Sequence, residues 1–317
     1  MIDKQAKLRE DYLFSVPPRR CLSFFEKDAF YEAARRYAIP TPETLALDAP
    51  PRENEAAAAL ARLGAPIVVK AADSRAYFRH PFLGMEKVYF ANTPARVKEI
   101  AQAIFAAGYP ARLLLQRYIG GGDAAAATLS FYCDRHGRVR LRAAADVLLE
   151  EHTPCGKGNY AALLSAPIPK IAEAIGRFLE GVGYVGFANF DLRTDKESGT
   201  TYALEMNLRQ GRSAHFLNAA GENPARWLVR DLLGEDLEKK DVQAPALFRT
   251  VSHGVLSRYT QDPLRLAAAV RLFGTARDAS PYDGDLLRSR SLIRALYLSL
   301  HGVKEGWKFH RYAPRVR

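Results

Sequence analysis

The chain has 317 residues, a formal net charge of +11 and a sequence pI near 9.6. At 48% hydrophobic and 26% charged it is ordinary for a globular protein, long enough for a sizeable core and for about two domains or one domain with large lobes. No run of about 18 apolar residues is present, so no membrane span is expected. The charged start MIDKQAKLREDYLF lacks the apolar stretch of a signal peptide.

Cys21, Cys133 and Cys155 are far apart and form no CxxC pair. This argues against a zinc site or a disulfide framework and fits a cytoplasmic protein. The basic balance favours an anionic partner: nucleic acid, an anionic membrane surface or a phosphate-rich small molecule. Basic residues are dispersed except in Lys304–Arg317, KEGWKFHRYAPRVR, where base and aromatic alternate. That tail could touch phosphates, although a solvated edge is the plainer reading.

In chain order, Glu26–Tyr37 reads as an amphipathic helix with Phe30, Ala33, Ala34 and Tyr37 on one face, stopped by Ile39-Pro40-Thr41-Pro42. Glu53–Leu63 reads as a helix ended by Gly64, and Ile67–Lys70 as a short buried strand. Val88–Phe90 is a strand. Thr93 caps a helix that runs to Ala107, with Pro94 at its first position. Leu113–Tyr118 is a strand followed by the turn Gly120-Gly121-Gly122-Asp123. Ala127–Cys133 and Val139–Ala145 form a hairpin across Asp134–Gly137. Pro169–Glu180 and Pro224–Leu233 are helices, and the residues after about 240 form a mixed extension. Prominent antiparallel hairpins among helices point to α+β lobes.

The most informative segment is Tyr184–Arg212, YVGFANFDLRTDKESGTTYALEMNLRQGR. Ala188, Phe190 and Leu192 alternate before the turn Asp195–Gly199. Tyr202 and Leu204 alternate on the return, with Met206 beyond. Side chains two apart share a face, so Glu205 and Asn207 point one way, with Arg209 beside them if the strand continues. Asp191 would sit opposite Glu205. Two carboxylates and an amide oxygen suit Mg²⁺ bound with substrate phosphates, and Arg209 could grip a phosphate. An acid-rich hairpin can also be a solvated face.

Other candidates are weaker singly. Lys70, ending a buried strand, could meet phosphate or merely snorkel. Lys27, at the positive end of a helix dipole, could meet an anion or face solvent. In LLLQRYIGGGD, the strand could meet an adenine edge and Asp123 could accept from ribose hydroxyls, or the segment is a plain loop. The loop Thr153–Asn159 is not a Walker loop, because Glu151 stands where the first glycine belongs and Gly158 follows Lys157. Lys157 and Asn159 could still reach an anionic substrate. No HExxH motif or GxSxG elbow is present.

Taken in order, EKDAFYEAARRYAIPTPET, PIVVKAADS, LLLQRYIGGGD and NFDLRTDKESGTTYALEMNLRQGR resemble the ATP-grasp ligases. The resemblance implies two α+β lobes clamping ATP, here residues 26–112 and 113–240, with an extension over 241–317. It implies that Lys27 and Lys70 contact phosphates, that Gln116, Arg117, Tyr118 and Ile119 meet adenine, and that Asp123 meets ribose. Asp191, Glu205 and Asn207 would hold Mg²⁺, with Arg209 at the reacting phosphate. The segments KAADSRAYFRHPFLGMEKVYF, EEHTPCGKGNYAALLS and ALFRTVSHGVLSRYT further resemble the carboxylate–amine ligase branch typified by D-aspartate ligase. That branch activates a small carboxylate as an acyl phosphate for attack by an amine acceptor, in that case an anionic nucleotide-linked peptidoglycan precursor. Nucleic acid is not an expected partner, and the sequence does not fix the oligomeric state. The superfamily carries an α/β domain of about 100 residues ahead of the first lobe, whereas only about 25 residues precede Lys27, so residues 1–25 read as a remnant. A nucleotide-binding protein with impaired catalysis is the alternative reading.

Overall fold

A computed structural model describes residues 15–154, 156–282 and 291–313. The first elements are α1 (Lys27–Arg36), β1 (Thr44–Leu47), α2 (Glu53–Leu63), β2 (Ile67–Ala71), α3 (Ser74–Phe78), β3 (Tyr89–Ala91), α4 (Pro94–Ala106) and β4 (Leu113–Arg117). Then follow β5 (Ala126–Cys133), β6 (Val139–Glu150), β7 (Tyr160–Ala166), α5 (Ile171–Gly181), β8 (Gly186–Thr194) and β9 (Thr201–Asn207). The remainder is α6 (Phe216–Ala219), α7 (Pro224–Leu232), β10 (Lys240–Val242), β11 (Leu247–Arg249), α8 (His253–Tyr259), α9 (Pro263–Val270), β12 (Asp278–Ala279) and α10 (Leu292–Tyr312).

Two sheets organise these elements. The smaller has the order β1-β4-β2-β3 and is antiparallel throughout. Ala56, Leu60 and Leu63 of α2 and Val97, Ile100 and Ile104 of α4 pack with Ile67, Val69, Leu113 and Leu115 to form its core. The helix boundaries follow local chemistry: Thr93 Oγ1 accepts from the Arg96 amide, and Gly64, at φ 78°, ends α2.

The larger sheet has the order β12-β11-β7-β6-β5-β8-β9, with β10 joined parallel to β6. Because strand side chains alternate, β5 serves two cores. Leu129, Phe131 and Cys133 meet Phe30 of α1 and Phe178 of α5 on one face, while Tyr132 meets Phe216 and Trp227 on the other. A further cluster joins Leu148, Leu149 and Leu247 to Leu256 of α8 and Phe309 of α10. Cys21 and Cys133 are buried free thiols, and Cys155 lies outside the described residues.

Some placements differ from the sequence reading. β4, expected to open the second lobe at 113, pairs with β1 and β2 in the smaller sheet. Helix α1, expected in the first lobe, buries Phe30, Tyr31 and Ala34 against the larger sheet. β10 and β11 belong to the larger sheet, so that sheet reaches into the expected extension. Strands β1 and β7 are absent from the sequence reading, and β6 continues past Ala145 to Glu150 as a partner for β7. Lys304–Tyr312 is the end of α10; residues 314–317 of the basic tail, like 1–14 of the expected remnant, lie outside the described residues. Among the described residues no helix is long and apolar enough to cross a membrane.

Candidate functional site

The β8–β9 ladder pairs Asp191 directly with Glu205 and Asn189 with Asn207. The register shifts by one residue between Asp191 and Leu192, which pairs with Ala203. This bulge corrects the expected alternation: Ala203 and Met206 face the core, whereas Tyr202 and Leu204 do not. Past it, Glu205 and Asn207 remain on one side. The Tyr31 hydroxyl donates to the Leu204 carbonyl at 2.6 Å, tying α1 to the bulge.

The two acids face unequal surroundings. Burial and the neighbouring Glu205 carboxylate push Asp191 well above the usual carboxylate range. Asp191 accepts from the Tyr160 hydroxyl at 2.9 Å and, at 3.5 Å, from the Asn207 amide. Burial opposes ionisation of Glu205 too, but Lys27, the hydrogen bond to Asp191, Lys87 and Lys70 hold it far below its ordinary value. Lys27 Nζ is 3.1 Å from Glu205 Oε2 and donates to Ser74 Oγ at 3.1 Å.

Lys70 is buried on β2. It donates to Gln116 Oε1 at 2.8 Å and to the Tyr31 hydroxyl at 3.2 Å. Neither partner is charged, so burial, reinforced by Lys27, lowers its pKa to about 7. Gln116 also donates to Tyr31 and Thr44, at 2.9 and 2.8 Å. Its side chain therefore orients Lys70.

Between the sheets these residues wall a cleft of about 300 Å³, with Lys27, Lys70, Lys87, Tyr160, Asp191 and Glu205 at one end and Tyr118, Ile119, Asp123 and His152 also in its lining. Gly121 and Gly122 have φ values of 100° and 61°, and a Cβ on Gly121 would lie 2.7 Å from that of Ala125, so this turn requires glycine. Arg193 of β8 holds the turn by donating to the carbonyls of Ile119 and Gly122, each at 2.7 Å. Asp123 is buried and accepts from the Glu150 amide at 3.0 Å and is 3.1 Å from His152 Nε2. Burial works against an imidazolium at His152, but Asp123 and Glu150 outweigh it and raise its pKa. Arg117 lines the cleft and pairs with Asp195 at 3.5 Å.

The loop after β6 reaches across to the smaller sheet. Lys157 Nζ lies 3.0 Å from Glu86 Oε2 and 5.5 Å from the centre of the Phe90 ring, and the Lys87 amide donates to the Pro154 carbonyl. Three expected residues stand apart from the cleft lining. Asn207 reaches it only through its amide contact with Asp191. Asn159 is held by its backbone against Glu151 and Gly156. Arg209 is exposed and donates to the Gln210 carbonyl, because β9 stops at Asn207 and no ladder carries its phase onward.

Sequence reasoning misses Tyr31, Lys87 and Tyr160 as site residues. Tyr31 looks in sequence like any apolar residue of α1, and Tyr160 lies on the unrecognised β7. Lys87 alone leaves a signal, as a basic residue just ahead of a short strand.

Chemically, the carboxylate pair offers hard oxygen donors, while Asn207 turns its amide nitrogen toward Asp191. Among the described residues no three His, Cys, Asp or Glu side chains gather to hold a metal. Two carboxylates suit a magnesium ion that completes its shell with phosphate oxygens and water. Three lysines at the same end suit an anion carrying several charges.

No family model matches the chain. It is 34% identical over 205 residues to the D-aspartate ligase of Enterococcus faecium (strain Aus0004), covering 65% of this chain and 49% of that protein. The chain thus spans about half the length of the curated relative it matches. Among solved structures, N5-carboxyaminoimidazole ribonucleotide synthetase from Thermus thermophilus superposes with a TM-score of 0.57 at 19% identity, over 78% of this chain and 62% of that one. The biotin carboxylase domain of Hydrogenobacter thermophilus 2-oxoglutarate carboxylase, in complex with MgADP, ADP and bicarbonate, gives 0.56 at 18% identity, over 73% and 51%. The fold is the ATP-grasp fold. In this fold the cleft between the two sheets contains Lys27, Lys70, Asp191 and Glu205.

Proposed function

We propose that the protein is an ATP-dependent carboxylate–amine ligase. The observation that carries this reading is the pairing of Asp191 with Glu205 at the lysine-rich end of the cleft. The 34% identity to a D-aspartate ligase supports it. ATP would lie with its phosphates toward Lys27, Lys70 and Lys87 and its base toward Tyr118 and Ile119. Asp191, Glu205 and Asn207 would hold Mg²⁺, which supplies charge neutralisation of the phosphates when bound.

The acid's carboxylate oxygen attacks the γ-phosphorus and ADP leaves. The amine then attacks the acyl carbon, phosphate leaves and the amine loses a proton. Lys27 and Lys70 bind and orient the phosphate chain. Tyr31 and Gln116 fix the Lys70 ammonium in place. The loop carrying Lys157, clasped to Glu86, excludes water from the acyl phosphate, which would otherwise hydrolyse. A small amino acid such as D-aspartate is the proposed carboxylate, and an anionic, nucleotide-linked peptide the proposed amine acceptor.

The test is an ADP-release screen of amino acids of both hands, each with and without an amine-bearing acceptor peptide. The reading expects ADP release that depends on Mg²⁺ and on one class of acid. Firm ATP binding without release in any combination favours a nucleotide-binding protein that has lost catalysis.

A further inference from the structure

Helix α10 buries one face, and among the described residues its opposite face is exposed. Leu298, Glu305 and Phe309 turn inward, with the Phe309 ring 5.7 Å from that of Tyr259 and 6.5 Å from that of His152. On the outside, Ile293, Leu296, Leu300, Val303 and Trp307 recur every three or four residues and so form one stripe, which Tyr297 widens. Leu300 is 60% and Trp307 57% exposed, and all six residues are exposed. A continuous apolar band of this kind on a protein surface marks something that covers it.

The charges around the stripe indicate what the cover is. Lys304 and Arg311 border it, and the Arg311 guanidinium lies 5.6 Å from the centre of the Trp307 ring. The single acid of the helix, Glu305, is turned inward and accepts from Lys308 at 2.6 Å. Pairing with a second copy would suit the three-and-four spacing, yet it would set Lys304 and Arg311 of both helices together with no outward acid on either helix to meet them. The whole chain adds to this repulsion with its net charge of +11. A basic helix with an outward band of Leu, Val, Ile and Trp, lying flat, matches instead the interface of an anionic bilayer, where the apolar band enters the headgroup boundary and the cations meet lipid phosphates.

We propose that the outward face of α10 docks on an anionic lipid surface. The inward face borders the loop Glu151–Thr153, so docking sets the rim of the cleft beside the membrane. The proposal is independent of the ligase reading, and its test needs no turnover.

The experiment is flotation of the full chain with vesicles of phosphatidylcholine alone or mixed with phosphatidylglycerol. Association with the mixed vesicles is expected, weakening as salt is raised, together with a blue shift of tryptophan emission that Trp307→Phe abolishes. Leu300→Glu is expected to lower partitioning by more than about tenfold. Lys304→Gln, an exposed change that spares the fold, is expected to lower it by about fivefold. Absence of binding at low salt, or equal binding to neutral vesicles, overturns the proposal. So does a concentration-dependent dimer in analytical ultracentrifugation that Leu300→Glu dissolves and anionic vesicles do not.

Discussion

Lys27 Nζ lies 3.1 Å from Glu205 Oε2, joining the first turn of α1 to the edge strand β9. A lysine at the positive end of a helix dipole is unfavourable, and Glu205 offsets that cost. On the proposed reading an incoming phosphate would take Lys27 and leave Glu205 to a cation. Glu205→Gln keeps the shape and removes the charge. It is expected to abolish Mg²⁺-dependent ADP formation while circular dichroism stays native. Unchanged turnover would remove Glu205 from the site.

Lys70 gives a pH signature. Its pKa in the fold is about 7, against an ordinary 10.5, so between those values the unfolded chain binds more protons than the folded one. The buried ammonium therefore costs stability fully below pH 7, and that cost is relieved as pH rises toward 10.5. Lys70→Met is expected to be more stable than wild type at pH 6, by a margin that shrinks by pH 9. Urea melts at the two pH values measure this, and a constant margin would contradict it.

Nucleotide phosphates should draw the proton back onto Lys70. Affinity for ATP is then expected to fall as pH rises above 7, with proton uptake on binding near pH 8. Calorimetry in EDTA, in two buffers of different ionisation enthalpy, measures the uptake. Lys70→Met should lose the uptake and about 1–3 kcal/mol of binding, as for a charge-assisted hydrogen bond.

Tyr160 offers a separate handle on the carboxylate pair. Its hydroxyl donates to Asp191 at 2.9 Å and helps the carboxylate form. Tyr160→Phe leaves Asp191 harder to ionise. The Mg²⁺ concentration needed for half-maximal nucleotide binding is expected to rise about fivefold, equivalent to about 1 kcal/mol, and to rise more at pH 6 than at pH 8. An unchanged Mg²⁺ requirement would show that Asp191 does not hold the ion.

The parts legible in sequence are those set by local chemistry. Thr93 and Pro94 mark the start of α4, Gly64 the end of α2, and the turn at Asp195–Gly199 places Asp191 against Glu205. The bulge at Leu204 is hidden, because it follows from the register with β8 and from the Tyr31 contact, neither of which is local. Strand β1 is four residues long, and β10 and β11 three each, too short for alternation to register. Gln116 looks in sequence like part of an adenine platform. Its role beside Lys70 arises only when β4 pairs with β2, where Lys70 and Gln116 meet from adjacent strands.

Positional isotope exchange in ATP, with candidate acids supplied and the amine withheld, tests the central claim most directly. Reversible phosphoryl transfer to the acid lets the β–γ bridging oxygen scramble. Scrambling that requires Mg²⁺ and one particular acid, and that is lost in Glu205→Gln, is the predicted result. Firm ATP binding with no scrambling for any acid, D-aspartate included, would contradict it.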